Sequence, residues 1–197
     1  DVPTNSTNLQ EYVNSAQPND TLNIVYYNGF PGLFSSATVN KDLNFEGNGL
    51  LLTGDFGNPD LLTITGSANV VINNMGVYSN GAYAINVLDN ASLTYQNTSL
   101  TQGSIYFNSS GNLTVQNNAN MNTSTTSYKT QIHLEKVGDV NISKNTFTES
   151  ERGIYTGQDL GSILNFLNNT MNNISGNVME FSFPLNSVGL IANNSIS

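Results

Sequence analysis

Short stretches of this chain alternate apolar and polar residues with a period of two, the mark of a strand buried on one face. Such runs are "VVINNM", "LTYQNTS", "LTVQNNA", "VNISKNTF", "ILNFLNNTM" and "GLIANNSIS", and each closes on asparagine. The closing residues Asn74, Asn97, Asn118, Asn145, Asn169 and Asn194 are 23, 21, 27, 24 and 25 residues apart. A second series, Ile85, Ile105, Ile132, Ile154 and Met179, opens another short strand in each unit, with steps of 20, 27, 22 and 25. The two series interleave and share the long step. A unit of this length holding two or three strands is one coil of a β-solenoid. The pattern therefore predicts an all-β parallel β-helix of about seven to eight coils over residues 1–197, a single domain whose coils occupy 21–197.

The alternation fixes which residues face inward. Val70, Ile72, Leu93, Tyr95, Leu113, Val115, Val140, Ile142, Leu164, Phe166, Leu190 and Ala192 form one inward set, within one residue of register, and Phe147 returns inward after its turn. A lone coil cannot bury them, whereas stacking makes a continuous core. The repeated asparagine then has two physical uses. It tolerates the positive φ of a sharp turn. Pointing inward, its amide can also donate to the coil on one side and accept from the other. A stacked ladder of Asn74, Asn97, Asn118, Asn145, Asn169 and Asn194 is expected. The long step comes from a Ser/Thr-rich excursion read as a loop over 119–131. At the other end, Thr7 or Asn8 precedes Leu9, Tyr12, Val13 and Ala16 at helical spacing, and Pro18 ends the run. A short helix over 7–17 is expected to cap the first coil.

Composition narrows the function. The chain has 34 asparagines, no cysteine, and a net charge of −9 from 14 acids against five bases. Scarce bases argue against nucleic acid, and no apolar run is long enough for a spanning helix. Eleven Asn-X-Ser/Thr sequons occur, at Asn5, Asn19, Asn90, Asn97, Asn108, Asn112, Asn122, Asn141, Asn168, Asn173 and Asn193. With a start at Asp1 rather than Met, they suggest an exported chain at the cell surface that carries glycan. A chain this rich in Asn, Ser and Thr also makes sequons by chance.

"TNLQEYVNSAQPNDTLNI" followed by "ATVNKDLNFEGNG" resembles the opening of right-handed parallel β-helix proteins of the pectate-lyase-like superfamily. In that family a capping helix precedes an Asn-Asp-Thr strand start. A strand carrying Lys41, Leu43, Phe45, Gly47 and Gly49 in the matching places comes next. The later Asn-rich coils are similar to those of archaeal and bacterial adhesin-like surface proteins. The resemblance implies the fold over nearly the whole chain. It implies little about activity, because the fold hosts lyases, hydrolases, adhesins and structural proteins. The strings that polysaccharide hydrolases of this family carry, Asn-Thr-Asp, Asp-Asp, Gly-His-Gly and Arg-Ile-Lys, are absent.

Other candidate chemistry is sparse. Arg152, flanked by Glu149 and Glu151 with Lys144 near, reads as a solvated turn with local ion pairs. Asp55 and Asp60 are the only calcium candidates, with a plain Gly-Asn-Pro loop as the simpler account. His133, the sole histidine, points outward, and a metal site would want more ligands around it. Tyr26, Tyr27, Phe30 and Phe34 cluster in the turn of the first coil, where they could stack on sugar, with packing beneath the expected cap as the more economical account. No cofactor is expected. The reading is of a non-enzymatic, extracellular structural glycoprotein, a subunit of a surface layer or a filament. The chain reaches Ser197 inside a repeat phrase, so copies of itself are the expected partners through an open coil end. The alternative is an adhesin or carbohydrate-binding module that takes surface glycans. A polysaccharide lyase or hydrolase is a third reading.

Overall fold

The computed structural model describes residues 1–3, 8–25, 33–54, 60–79, 83–122, 130–160, 163–180 and 188–197. Three parallel sheets of nine, eight and seven strands run the length of the described chain. Each turn visits them in the same order. One turn, for example, is Ser92–Gln96 in the nine-stranded sheet, Ser99–Gln102 in the eight-stranded sheet and Ile105–Ser109 in the seven-stranded sheet. Six turns separate the first and last strands of the seven-stranded sheet. The expected seven to eight coils were slightly too many. The end segments counted as coils are incomplete: Val188–Ala192 and Ser195–Ile196 reach only two of the three sheets.

The core is a set of in-register columns. Leu22, Phe45, Ile72, Tyr95, Val115, Ile142 and Phe166 stack in sequence, strand on strand. All are buried, and Phe45, Ile72, Tyr95, Val115, Ile142 and Phe166 wholly so. The series from Ile85 to Met179 is likewise one column of paired residues. The last turn differs by one residue from expectation. Ile191, not Leu190 or Ala192, pairs with Phe166, and Leu190 stands in the outward column with Asn165. In "GLIA" three apolar residues are consecutive, so alternation alone cannot choose the register.

The cap is shorter than 7–17: a helix over Leu9–Ser15, with Ala16 already extended. Asn8 caps it, donating from Nδ2 to Glu11 Oε1 (2.7 Å) while its Oδ1 accepts from the Glu11 N–H (3.4 Å). Leu9 and Val13 bury against the first turn, and Val2–Pro3 adds a strand beside Ile24 and Val25. The loop expected over 119–131 does not hold at either end of that range. Asn120–Asn122 is a strand with Met121 fully buried, and Thr130 already begins the next strand. One apolar residue was enough to hold that segment in the stack. Residues 123–129, with Thr7, Tyr26, Tyr27, Phe30 and Asp55, lie outside the described residues.

The corner after each of the last six strands of the nine-stranded sheet divides the two uses of asparagine between neighbours. Asn74, Asn97, Asn117, Lys144, Asn168 and Asn193 take φ between 53° and 58°. The residue that follows turns inward. Asn118 Nδ2 donates to Asn145 Oδ1 (2.7 Å), Asn145 Nδ2 to Asn169 Oδ1 (2.9 Å), and Asn169 Nδ2 to Asn194 Oδ1 (3.1 Å). The ladder begins at Thr98, whose N–H and hydroxyl donate to Asn118 Oδ1 at 2.9 and 2.6 Å. Asn74 and Asn97 are therefore not rungs of the ladder but left-handed corners one position earlier. Asn97 instead donates outside, to Asn73 Oδ1 (2.8 Å).

Lys144 is the one non-asparagine in that corner column and is exposed. A left-handed backbone costs most side chains about 1–2 kcal/mol, and asparagine less. Lys144→Asn is expected to stabilise by about 0.5–1 kcal/mol, about 1–4 °C in melting temperature for a chain of this size. A variant that melts at or below the native temperature would contradict the corner assignment.

Candidate ligand-binding face

The outward faces of the three sheets are chemically different. On the eight-stranded sheet the outward column is Ser99, Asn120, Thr146, Thr170 and Ser195, with no charge in it. Its neighbours bond one another: Thr148 to Asn120 (2.5 Å) and Ser197 to Asn172 (2.7 Å). On the nine-stranded sheet Asn73 donates to Glu46 (2.6 Å) and Gln116 to Gln96 (2.9 Å). Some of the polar groups on these two faces bond one another.

The seven-stranded sheet carries aromatic and titratable groups. In register along its outward face stand Asn86, Tyr106, His133, Tyr155 and Glu180. Each follows an inward residue, Ile85, Ile105, Ile132, Ile154 or Met179, so the same turns that bury the isoleucines line up the rings. Tyr83 stacks on Tyr106 with centroids 4.7 Å apart and planes at 30°. His133 meets Tyr106 at 5.0 Å and Tyr155 at 4.9 Å, edge-on at 84° in both cases. All four rings are half-buried.

Charged groups surround the rings. His133 Nε2 lies 2.7 Å from Glu135 Oε1. A register shift between Leu134 and Lys136 marks this place, and Gly157 on the next strand makes room for the carboxylate: a Cβ there would fall 2.0 Å from Glu135 Oε2. Arg152 sets its guanidinium 5.6 Å from the Tyr155 ring centre and reaches Glu180 across one turn at 3.5 Å. That ion pair is open to solvent and adds little stability. Asn86 donates to Asp60 Oδ2 (3.1 Å). Partial burial, then the Glu135 charge, hold the Tyr106 hydroxyl above the usual phenol range, so at neutral pH it is a protonated donor.

The arrangement offers ring edges, phenol hydroxyls, a histidine–carboxylate pair and a guanidinium on and beside one in-register column. It can donate to and accept from a hydroxyl-rich ligand. His133, read from the sequence as a lone outward histidine, and Arg152, read as part of a solvated turn with local ion pairs, are brought together with Tyr106 and Tyr155, and Arg152 meets Glu180 from the next turn. Asp60 lies at the edge of this face. Asp55, its proposed calcium partner, is outside the described residues. Among the described residues no three His, Cys, Asp or Glu side chains gather as a metal site, and no helix is long and apolar enough to cross a membrane.

The fold itself generates several of the sequons. Asn97, Asn168 and Asn193 are exposed left-handed corners, followed by a ladder residue and then an outward Ser or Thr. Corner, ladder and strand together spell Asn-X-Ser/Thr. Asn19 and Asn173 are also exposed positive-φ residues. Asn90, Asn108 and Asn112 are exposed; Asn122 and Asn141 are half-buried. Asn5 lies outside the described residues.

Residues 60–197 match the family described as the right-handed beta helix region. The chain belongs to that family. In this right-handed β-helix the matched segment holds all four rings, Glu135, Arg152, Glu180 and the asparagine ladder. No curated protein and no solved structure matches the chain.

Proposed function

We propose that this right-handed β-helix is an extracellular carbohydrate-binding module of adhesin type, and that it holds glycan on the seven-stranded sheet without cleaving it. The observation that carries this reading is the in-register row of Tyr106, His133 and Tyr155, with Glu135, Arg152 and Glu180 around it. Aromatic bodies with polar tips suit a ligand that is apolar on its ring faces and hydroxylated at its edges. No comparable stacked row of rings stands among the described outward residues of the other two faces. A row of aromatics also has a plain structural use, since cross-strand ring pairs each stabilise a sheet by about 0.2–1 kcal/mol. That use does not require His133 to be paired with Glu135 at the surface.

A filament or surface-layer subunit would draw on the last turn, where Leu190, Ile191 and Ile196 are 53%, 47% and 64% exposed. A further turn of any chain would cover those residues equally, so they do not favour a partner copy. The aromatic row is specific to one face and favours a ligand.

Affinity electrophoresis against a panel of neutral and acidic polysaccharides tests the proposal. The native chain is expected to be retarded by at least one of them. Tyr106→Ala is expected to weaken the retarding interaction about tenfold, or about 1.4 kcal/mol, with an unchanged far-UV circular dichroism spectrum. Retardation by no polymer, or an alanine variant that binds as the native chain does, would sink it.

A further inference from the structure

We infer that the ligand is a neutral, extended β-1,4-linked glycan that lies along the solenoid axis with one sugar per turn. This rests on the carbohydrate reading above and specifies it. The row has a fixed pitch. Successive ring centres from Tyr83 through Tyr106 and His133 to Tyr155 are 4.7, 5.0 and 4.9 Å apart. The steps from Tyr106 to His133 to Tyr155 are set by strand stacking, because these residues are in register and parallel strands lie about 4.8 Å apart. Tyr83, three positions before Asn86, the register partner of Tyr106, joins the row through its side chain. A glycan with equatorial 1,4-linkages extends as a straight ribbon and advances by close to this distance per sugar. An α-1,4-linked glucan coils and leaves such a row after one or two residues.

The rings also constrain the type of contact. Each abuts the next at van der Waals range, so much of their face area is used rung on rung. What they turn outward is edge and hydroxyl, beside the His133–Glu135 pair and Arg152. Those groups fit the equatorial hydroxyls of a neutral sugar by hydrogen bonding. Charge excludes an acidic polymer. Among the described side chains, the charged groups flanking the row are Asp60, Glu135 and Glu180 against Arg152 and Lys136, on a chain of net charge −9. A polyuronate would meet like charge both locally and at long range.

Calorimetric titration of the native chain with β-1,4-glucan oligomers of two to six sugars tests this, with α-1,4-glucan and α-1,4-galacturonan hexamers as controls. Affinity for the β-linked series is expected to rise about threefold or more per sugar up to four, one for each ring, and then level off. Tyr155→Ala is expected to move the plateau to three sugars. Equal affinity for the α- and β-linked glucan hexamers, a plateau at two sugars, or preference for the galacturonan would overturn the inference. If a polysaccharide binds and Tyr106→Ala weakens it while the β-linked oligomers fail, the axial assignment falls and the carbohydrate reading stands. If no polysaccharide binds, both fall.

Discussion

Replacing Asn145 by leucine is expected to lower the melting temperature by about 10 °C, a loss of about 3–5 kcal/mol. The side chain is 2% exposed and fully engaged. Its Nδ2 donates to the Val115 carbonyl and to Asn169 Oδ1, both at 2.9 Å. Its Oδ1 accepts from the Asn118 N–H at 3.1 Å and the Asn118 Nδ2 at 2.7 Å. Leucine fills the volume and leaves the Asn118 donors and the Val115 and Asn169 acceptors buried without that partner. Each orphaned group costs about 1–3 kcal/mol. Asn145→Asp keeps the shape but aims a second oxygen at two acceptors and is expected to cost at least as much. Asn145→Thr keeps one hydroxyl, as Thr98 does at the head of the ladder, and should fall between native and leucine. A leucine variant that melts within about 2 °C of native would show that the ladder contributes little.

Phe166→Ala is expected to destabilise by about 3–5 kcal/mol, again about 10 °C or more. Phe166 has no solvent exposure and sits between Ile142 on the turn before and Ile191 on the turn after. Its ring centre is 6.2 Å from that of Phe147, which comes from a different sheet. The two rings bridge the interior where two sheets meet. Stability in a solenoid is a sum over neighbouring turns. The loss is therefore expected to appear first as faster amide exchange in the turns on either side of Phe166, measured by mass spectrometry. Uniform acceleration from Leu22 to Ile196 would contradict a turn-by-turn core.

The repeat was legible because stacking imposes one register on every turn, so a single column such as Ile85, Ile105, Ile132, Ile154 and Met179 is enough to reveal it. The ladder was only half legible. An Asn-Asn pair contains both a corner and a rung, and composition does not say which is which. Asn118, Asn169 and Asn194 follow a corner asparagine, Asn145 follows a corner lysine, and Thr98 is a rung with no asparagine at all. The context that separates them is the apolar residue two or three places later, Leu100, Met121, Phe147, Met171 or Ile196, because the rung precedes the next inward position. The candidate face went unread for a different reason. Tyr106, His133 and Tyr155 are ordinary outward residues in their own strands. Moving the isoleucine column by one position brings them into a single row. Glu135 needed the structure, since neither the register shift beside it nor the space above Gly157 can be seen in a string.

The most direct test of the account is a two-dimensional NMR titration of the isotopically labelled chain with the retarding polysaccharide, cut to soluble length. Shifts are expected to concentrate on Tyr83, Tyr106, His133, Glu135, Arg152 and Tyr155, leaving the outward residues of the other two sheets unmoved. Shifts centred on Thr146, Thr170 and their neighbours, or scattered over all three faces, would contradict it.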